Sequence, residues 1–286
     1  MSKTVTYLYP IVSKASHLKI FQDRTSQVRA FYFTRENIRE IERQESSRNY
    51  SVYFLFDDSD ESANQVYVGQ SMNGIGRISE HVRNKDFWSY CLMFVTDNNS
   101  FDKMAIDYLE YEFIKKLKKS SYLLENHDLR MTEPNISIYD KPNLNAYIEQ
   151  IEFLLNAEGV VLDEIQETTI HNEKLYKPKS AKYNASILIK DGQFILVKGS
   201  ELKRPIESSR NWSDEGRFYH RQNKTMDGYL RDEKVEKMDD KYIAKVNLAF
   251  KSPSTVASLI SGRAENGWKF FEGLEEQRKT QRNDES

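Results

Sequence analysis

Residues 101–119 carry Ile106, Leu109, Phe113, Ile114 and Leu117 at i, i+3, i+7, i+8 and i+11. That spacing predicts an amphipathic helix, which must bury its apolar stripe against another element. The partners are close in sequence. Val52-Tyr53-Phe54-Leu55-Phe56 and Gln65-Val66-Tyr67-Val68-Gly69 read as two strands of a β-hairpin around the polar turn Asp57-Asp58-Ser59-Asp60-Glu61-Ser62. Tyr90 to Val95 reads as a buried strand. Residues 74–85 read as a helix with Ile75, Ile78 and Val82 on one side. The order β-β-α-β-α implies a small antiparallel sheet flanked by helices, an α+β class.

The flanks read less sharply. Val28–Phe33 reads as a strand, followed by a helix through Ile38 and Ile41 with Thr34 as N-cap. Leu144, Ile148, Ile151, Leu154 and Leu155 mark a helix stopped near Gly159. Residues 161–182 are polar and aperiodic, as in a linker. Ile187–Ile189 and Phe194–Val197 flank Asp191-Gly192, a hairpin signal. Ser252-Pro253 opens a further helix closed by Gly262. The expected layout is an N-terminal extension (1–50), a first domain with a trailing helix (51–160), a linker (161–182), a separate α+β domain (183–271) and a disordered tail (272–286).

The 286-residue chain holds a single cysteine, Cys91, so neither an internal disulfide nor a cysteine-rich zinc site can form. With no signal-peptide core and no membrane-length apolar run, a soluble cytoplasmic protein is expected, with no membrane partner. The formal net charge of −2 argues against a uniformly basic nucleic-acid coat but leaves room for a local basic cleft.

Glu110 falls on the apolar stripe, where a carboxylate is costly unless paired, protonated or metal-bound; at the stripe's edge it could simply reach solvent. Arg77 and His81, four apart, share one face of the predicted helix 74–85. A guanidinium can clamp a phosphate and a neutral imidazole can take a proton, although an exposed polar face would look the same. Tyr53 and Tyr67 on adjacent strands could be ordinary packing, and Asn126 an ordinary turn residue. His17, His171 and His220 are scattered without metal-ligand spacing; His127 adjoins Asn126 but reads better as exposed, and Trp212 could stack on bases.

Taken together and in order, these residues resemble the GIY-YIG nuclease family over about 75 to 80 residues. Ser51-Val52-Tyr53 stands for its first motif and Tyr67-Val68-Gly69 for its second. Arg77, His81, Glu110 and Asn126 stand at its remaining functional positions. The first motif departs most, with Ser51 and Val52 where the family has glycine and isoleucine. Residues 183–271, through Ser252-Pro253-Ser254, Gly262-Arg263 and Asn266-Gly267-Trp268, resemble a domain of unknown function often found after GIY-YIG domains.

The resemblance implies a DNA endonuclease that hydrolyses phosphodiester bonds. Its catalytic set would be Tyr53, Tyr67, Arg77, His81, Glu110 and Asn126, with Gly69 as a structural neighbour. It implies one Mg²⁺ or Mn²⁺ held by Glu110. Arg77 would grip the scissile phosphate; apart from the resemblance, Arg263 could contact nucleic-acid phosphate or simply lie on a solvated face. Either tyrosine could be the base, with a slight preference for Tyr53. Double-stranded or branched DNA is the expected partner. A homodimer would let a single-site enzyme cut both strands, and the C-terminal domain could receive a protein partner. The alternative is an inactive nucleic-acid-binding or protein-interaction protein that keeps the fold.

Overall fold

The computed structural model describes residues 3–10, 17–57, 64–126, 132–162, 173–190, 192–204, 214–239 and 241–277. Most of the acidic turn (Asp58 to Ser62), His127, His171, Asp191, Trp212, part of the expected linker and residues 278–286 lie outside them. The fold is mixed α+β. The chain forms two compact units: Met1–Asp58, Gln65–Leu117 and Leu124–Leu162 make one, and Ser59–Asn64, Lys118–Leu123 and Asp163–Ser286 the other.

The first unit contains β1 (Val5–Leu8), β2 (Lys19–Asp23), β3 (Val28–Thr34), α1 (Ile38–Ile41), β4 (Ser51–Phe56), β5 (Gln65–Ser71), α2 (Ile75–Asn84), β6 (Tyr90–Thr96), α3 (Lys103–Lys119), β7 (Leu123–Leu124) and α4 (Lys141–Ala157). Its sheet has seven strands in the order β1-β2-β3-β6-β4-β5-β7, antiparallel from β1 through β5. The expected small sheet is therefore larger, because the segment before Ser51 belongs to it and is no separate extension. β6 explains why. Its run Cys91–Val95 is wholly buried and needs a partner on each edge: β4 supplies one and β3 the other, from Val28↔Thr96 to Thr34↔Tyr90.

β4 is buried at every position because both faces of the sheet are covered. Tyr53 and Leu55 face a cluster with Ile38, Ile41, Ile75 and Ile78 of α1 and α2. Phe54, on the opposite face, meets Phe113 of α3 edge-on at 5.1 Å between ring centroids. α4 lies beside α3, tied to it by Tyr108 Oη donating to Asn145 Oδ1 at 3.1 Å. Thr34 does precede a helical turn, but it makes no side-chain cap. Its hydroxyl donates instead to Asn37 Oδ1 at 2.9 Å, and the turn is 3-10 before α1 begins.

The second unit holds β8 (Ile187–Lys190), β9 (Gln193–Leu196), β10 (Glu201–Leu202), α5 (Asp214–Arg231), β11 (Val235–Met238), β12 (Lys241–Ala244), β13 (Leu248–Phe250), α6 (Pro253–Ser261) and α7 (Gly267–Phe270). Its strands form two three-stranded sheets, β13-β9-β8 and β10-β12-β11. α6 begins as its sequence predicts, with Ser252 Oγ accepting from Ser254 N–H at 3.2 Å. α7 starts hard against it: a Cβ on Gly267 would sit 2.1 Å from the Pro253 carbonyl carbon, so only glycine fits there.

Both expected ends of this unit move outward. Tyr176, in the stretch read as linker, exchanges backbone hydrogen bonds with Ile187, at 2.8 and 2.9 Å. Leu274, in the stretch read as disordered tail, is fully buried in the core with Phe271, Phe250 and Tyr229. A lone apolar residue amid charges leaves no periodic signal, yet one buried leucine suffices to hold a short terminal segment. Leu274→Ala should cost about 2–5 kcal/mol of this unit's stability. Urea denaturation will measure it, and amide exchange should rise first in β9 and β13.

Candidate functional site

β4 and β5 pair with Tyr53 opposite Gly69 and Leu55 opposite Tyr67. Side chains alternate along a strand, so both tyrosines project from one face, diagonal to each other, with ring centroids 6.3 Å apart. Gly69 makes this possible. A Cβ there would fall 2.4 Å from both Cζ and Oη of Tyr53, so the phenol lies directly across the glycine backbone. A glycine within a strand admits a close approach to substrate or a neighbouring helix; here what approaches is Tyr53.

α2 brings the next two groups. Its His81 turns inward and is buried, with Nε2 2.7 Å from Tyr53 Oη. Arg77, one turn earlier, is exposed and pairs with Glu80. Arg35, which no sequence pattern had singled out, holds the far end of this helix. Its guanidinium donates to the carbonyls of Val82 at 2.7 Å and Asp86 at 3.1 Å, satisfying backbone acceptors that a helix C-terminus leaves open. The ammonium of Lys85 lies 4.0 Å above the Tyr67 ring.

α3 and the chain after β7 meet the outer edge of β5. Glu125 N–H donates to the Val66 carbonyl at 2.8 Å. One step on, the Asn126 side chain replaces a strand: its Oδ1 accepts from Val68 N–H at 3.0 Å and its Nδ2 donates to the Val68 carbonyl at 2.7 Å. At the next outward position the Gln70 backbone amide is among the groups that lower the Glu110 pKa. Asn126 is thus a buried backbone mimic rather than a surface turn residue.

Electrostatics tie the set together. Burial pushes the Tyr53 phenol well above its usual range, and Tyr67 adds to the rise while Arg77 opposes it. Tyr67, half-buried, is raised by desolvation and by Glu110, and lowered by Arg77 and a hydrogen bond with Tyr53. Burial, then Arg77 and Lys85, hold His81 down to about 4, so its imidazole is neutral at pH 7. Burial and Asp107 lift Glu110 to about 7, against Lys103 and the Gln70 N–H. Five of the six sequence candidates therefore sense one another's charge or share hydrogen bonds, and Asn126 anchors the strand beneath them. Arg263 stands apart in the second unit, exposed and paired with Glu265 at 2.7 Å.

No group of three or more His, Cys, Asp and Glu residues fit to hold a metal occurs among the described residues. A metal here would have Glu110 as its one carboxylate ligand. That fits a strongly hydrated Mg²⁺ or Mn²⁺, which can keep water in its remaining positions. Glu110 itself fits the role: it is a desolvated carboxylate that forms no ion pair within 4 Å among the described residues. Chemically, the arrangement combines an exposed guanidinium at Arg77, a neutral imidazole at His81 and the two hydroxyls of Tyr53 and Tyr67.

Residues 176–281 match the family model described as a domain of unknown function (DUF4357). The matched span includes Tyr176 and Leu274, the two residues that extend the second unit beyond its expected ends. No curated protein and no solved structure matches the chain. Among the described residues, no helix is long and apolar enough to cross a membrane.

Two outcomes follow for this cluster. Gly69→Ala must push the Tyr53 ring away, opening the 2.7 Å contact to His81. NMR titration should then find the His81 pKa moved upward from about 4 as water reaches the ring. Glu110 runs the other way with pH. Its folded pKa, about 7, exceeds its ordinary 4.5, so the folded state holds the extra proton. The stability this brings is full below 4.5 and is lost as pH rises through about 7. Glu110→Gln should therefore flatten that loss in urea-denaturation midpoints measured from pH 4 to 8.

Proposed function

We propose that the chain is a metal-dependent DNA endonuclease that hydrolyses phosphodiester bonds at this cluster, as its resemblance to GIY-YIG nucleases implies. The observation that carries the reading is the desolvated Glu110 carboxylate, which acts electrostatically on both Tyr67 and Tyr53, the same two phenols that Arg77 influences in the opposite direction. A bare carboxylate in that position costs stability that a structural role would not require.

Hydrolysis needs a deprotonated water, a neutralised phosphoryl group and a stabilised leaving oxygen. Arg77, exposed on α2, clamps the scissile phosphate through its planar guanidinium. Tyr67 is the outward hydroxyl and Tyr53 the buried one, so a proton from water enters at Tyr67, passes to Tyr53 and ends on His81 Nε2. Tyr53 alone is a poor proton acceptor, because burial disfavours its phenolate. His81 becomes a better one once substrate binds, since a phosphate against Arg77 offsets the cation that helps hold its pKa down. Glu110 would hold the Mg²⁺ or Mn²⁺, which when bound supplies Lewis-acid stabilisation of charge on phosphate oxygens. Asn126 keeps the β5 edge in place and takes no proton.

The test uses purified protein with plasmid and branched DNA, with and without Mg²⁺. Wild type should cleave only with the metal, and Glu110→Gln and Arg77→Ala should each lose about 10²–10³ in kcat. Activity should fall below about pH 7 as Glu110 takes up a proton, and excess Mg²⁺ should move that limb to lower pH. Absence of cleavage on either substrate, or full activity in Glu110→Gln, would overturn the proposal.

A further inference from the structure

A second concave site lies in the first unit, over β1–β3. It is a cavity of about 530 Å³, within the size range of small-ligand pockets. Register places it on the same face as the tyrosines: Phe31 is opposite Met93, Met93 opposite Tyr53, and Arg29 precedes Phe31 by two. β6 separates β3 from β4 and Arg29 lies two residues along from the position level with Tyr53, so the two stand roughly 12 Å apart. The two sites are therefore distinct.

The cavity has a cationic end. Arg29 on β3 and Arg24 in the β2–β3 turn both line it, and neither guanidinium forms an ion pair among the described residues. Glu45 is the one carboxylate on the wall and is exposed, leaving an excess of positive charge. Two arginines lining one concavity without a carboxylate partner among the described residues suit a phosphate. The rest of the lining has a different character. Leu8 and Ile20, opposite each other across β1 and β2 on this face, offer apolar surface, with Leu8 61% exposed although it lines the cavity. Gln22 and Gln44 add amides. Gln22 Nε2 spends both of its N–H groups, on the Ser26 carbonyl at 2.9 Å and on Asp97 at 3.2 Å, whereas Gln44 Nε2 spends one, on the Glu40 carbonyl at 3.2 Å. Gln22 therefore retains acceptor oxygen only, and Gln44 an acceptor oxygen and one donor.

We propose that this cavity binds a nucleoside monophosphate with an amino-bearing base. The phosphate sits against Arg24 and Arg29, the flat ring against Leu8 and Ile20, and the exocyclic amine donates to the free glutamine oxygens. Binding needs neither metal nor turnover, so its failure is separable from failure of the nuclease reading.

The same phosphate chemistry could come from a free nucleotide or from a DNA strand. Calorimetric titration without divalent metal distinguishes them, using AMP, CMP, GMP and UMP, the parent nucleosides, and a single-stranded DNA ten-mer with hydroxyl ends. AMP, CMP and GMP should bind at least about tenfold tighter than their nucleosides, and UMP more weakly. The double variant Arg24→Ala/Arg29→Ala should lose at least about tenfold for each monophosphate, and Arg29→Lys should lose less. Arg24 is exposed but Arg29 is half-buried, so the thermal melt expected to match wild type is that of Arg29→Lys, which keeps the side-chain stem. Nucleosides binding as tightly as monophosphates, no change in the double variant, or no binding at about 1 mM would overturn the assignment. Binding of the ten-mer alone would also overturn it and make the cavity a strand contact.

Discussion

Val68 is buried at the outer edge of its sheet, and a buried peptide there must find partners for both its N–H and its C=O. β7 is too short to reach it. Asn126 therefore supplies both halves of the missing pairing from a single side-chain amide. This substitution governs what surrounds it. With Val68 satisfied, Gly69 can face Tyr53, and Gln70 can offer its N–H to a side chain rather than to a strand. Glu110 is near enough for that amide to lower its pKa. A longer β7 would have occupied the edge and left the carboxylate without a backbone anchor.

The cluster's electrostatics arise from the two faces of β5. From one face α2 delivers Arg77 and the neutral His81; from the other α3 delivers Glu110. β5 itself, one peptide layer thick, lies between. Burial sets most of the protonation states here: it keeps His81 uncharged, Tyr53 protonated and Glu110 reluctant to ionise. A group poised by desolvation responds strongly to any charge that enters, which is how a phosphate or a cation would change the state of the whole set.

How much of this the sequence discloses depends on the kind of interaction. Periodic burial is legible: the stripe of α3, the inward side of α2 and the strands β4 to β6 follow from spacing alone. So is the position of Glu110 within an apolar stripe. Asn126 reads as a turn because its partner, the Val68 peptide, is 58 residues away and a backbone group has no letter in the sequence. Arg35 is hidden for the same reason, since it too serves carbonyls. β1 is mostly exposed and only four residues long, so it shows little alternation. Tyr176 and Leu274 are single anchors set in polar stretches. Gly69 lies between these cases: a glycine in a strand announces a close approach, but only the register names Tyr53 as what approaches.

The fit of Tyr53 over Gly69 also constrains descent. With the phenol in place, any side chain at 69 collides, so replacement of the glycine has to wait until the tyrosine has shrunk or moved. The reverse order is open, because a smaller residue at 53 merely uncovers the glycine. A lineage that abandons this cluster should therefore lose the aromatic ring first and the glycine second. A relative with a side chain at 69 and tyrosine still at 53 would have had to rebuild the strand pair around them. The two positions act as a one-way ratchet, in which the glycine outlives the residue that required it.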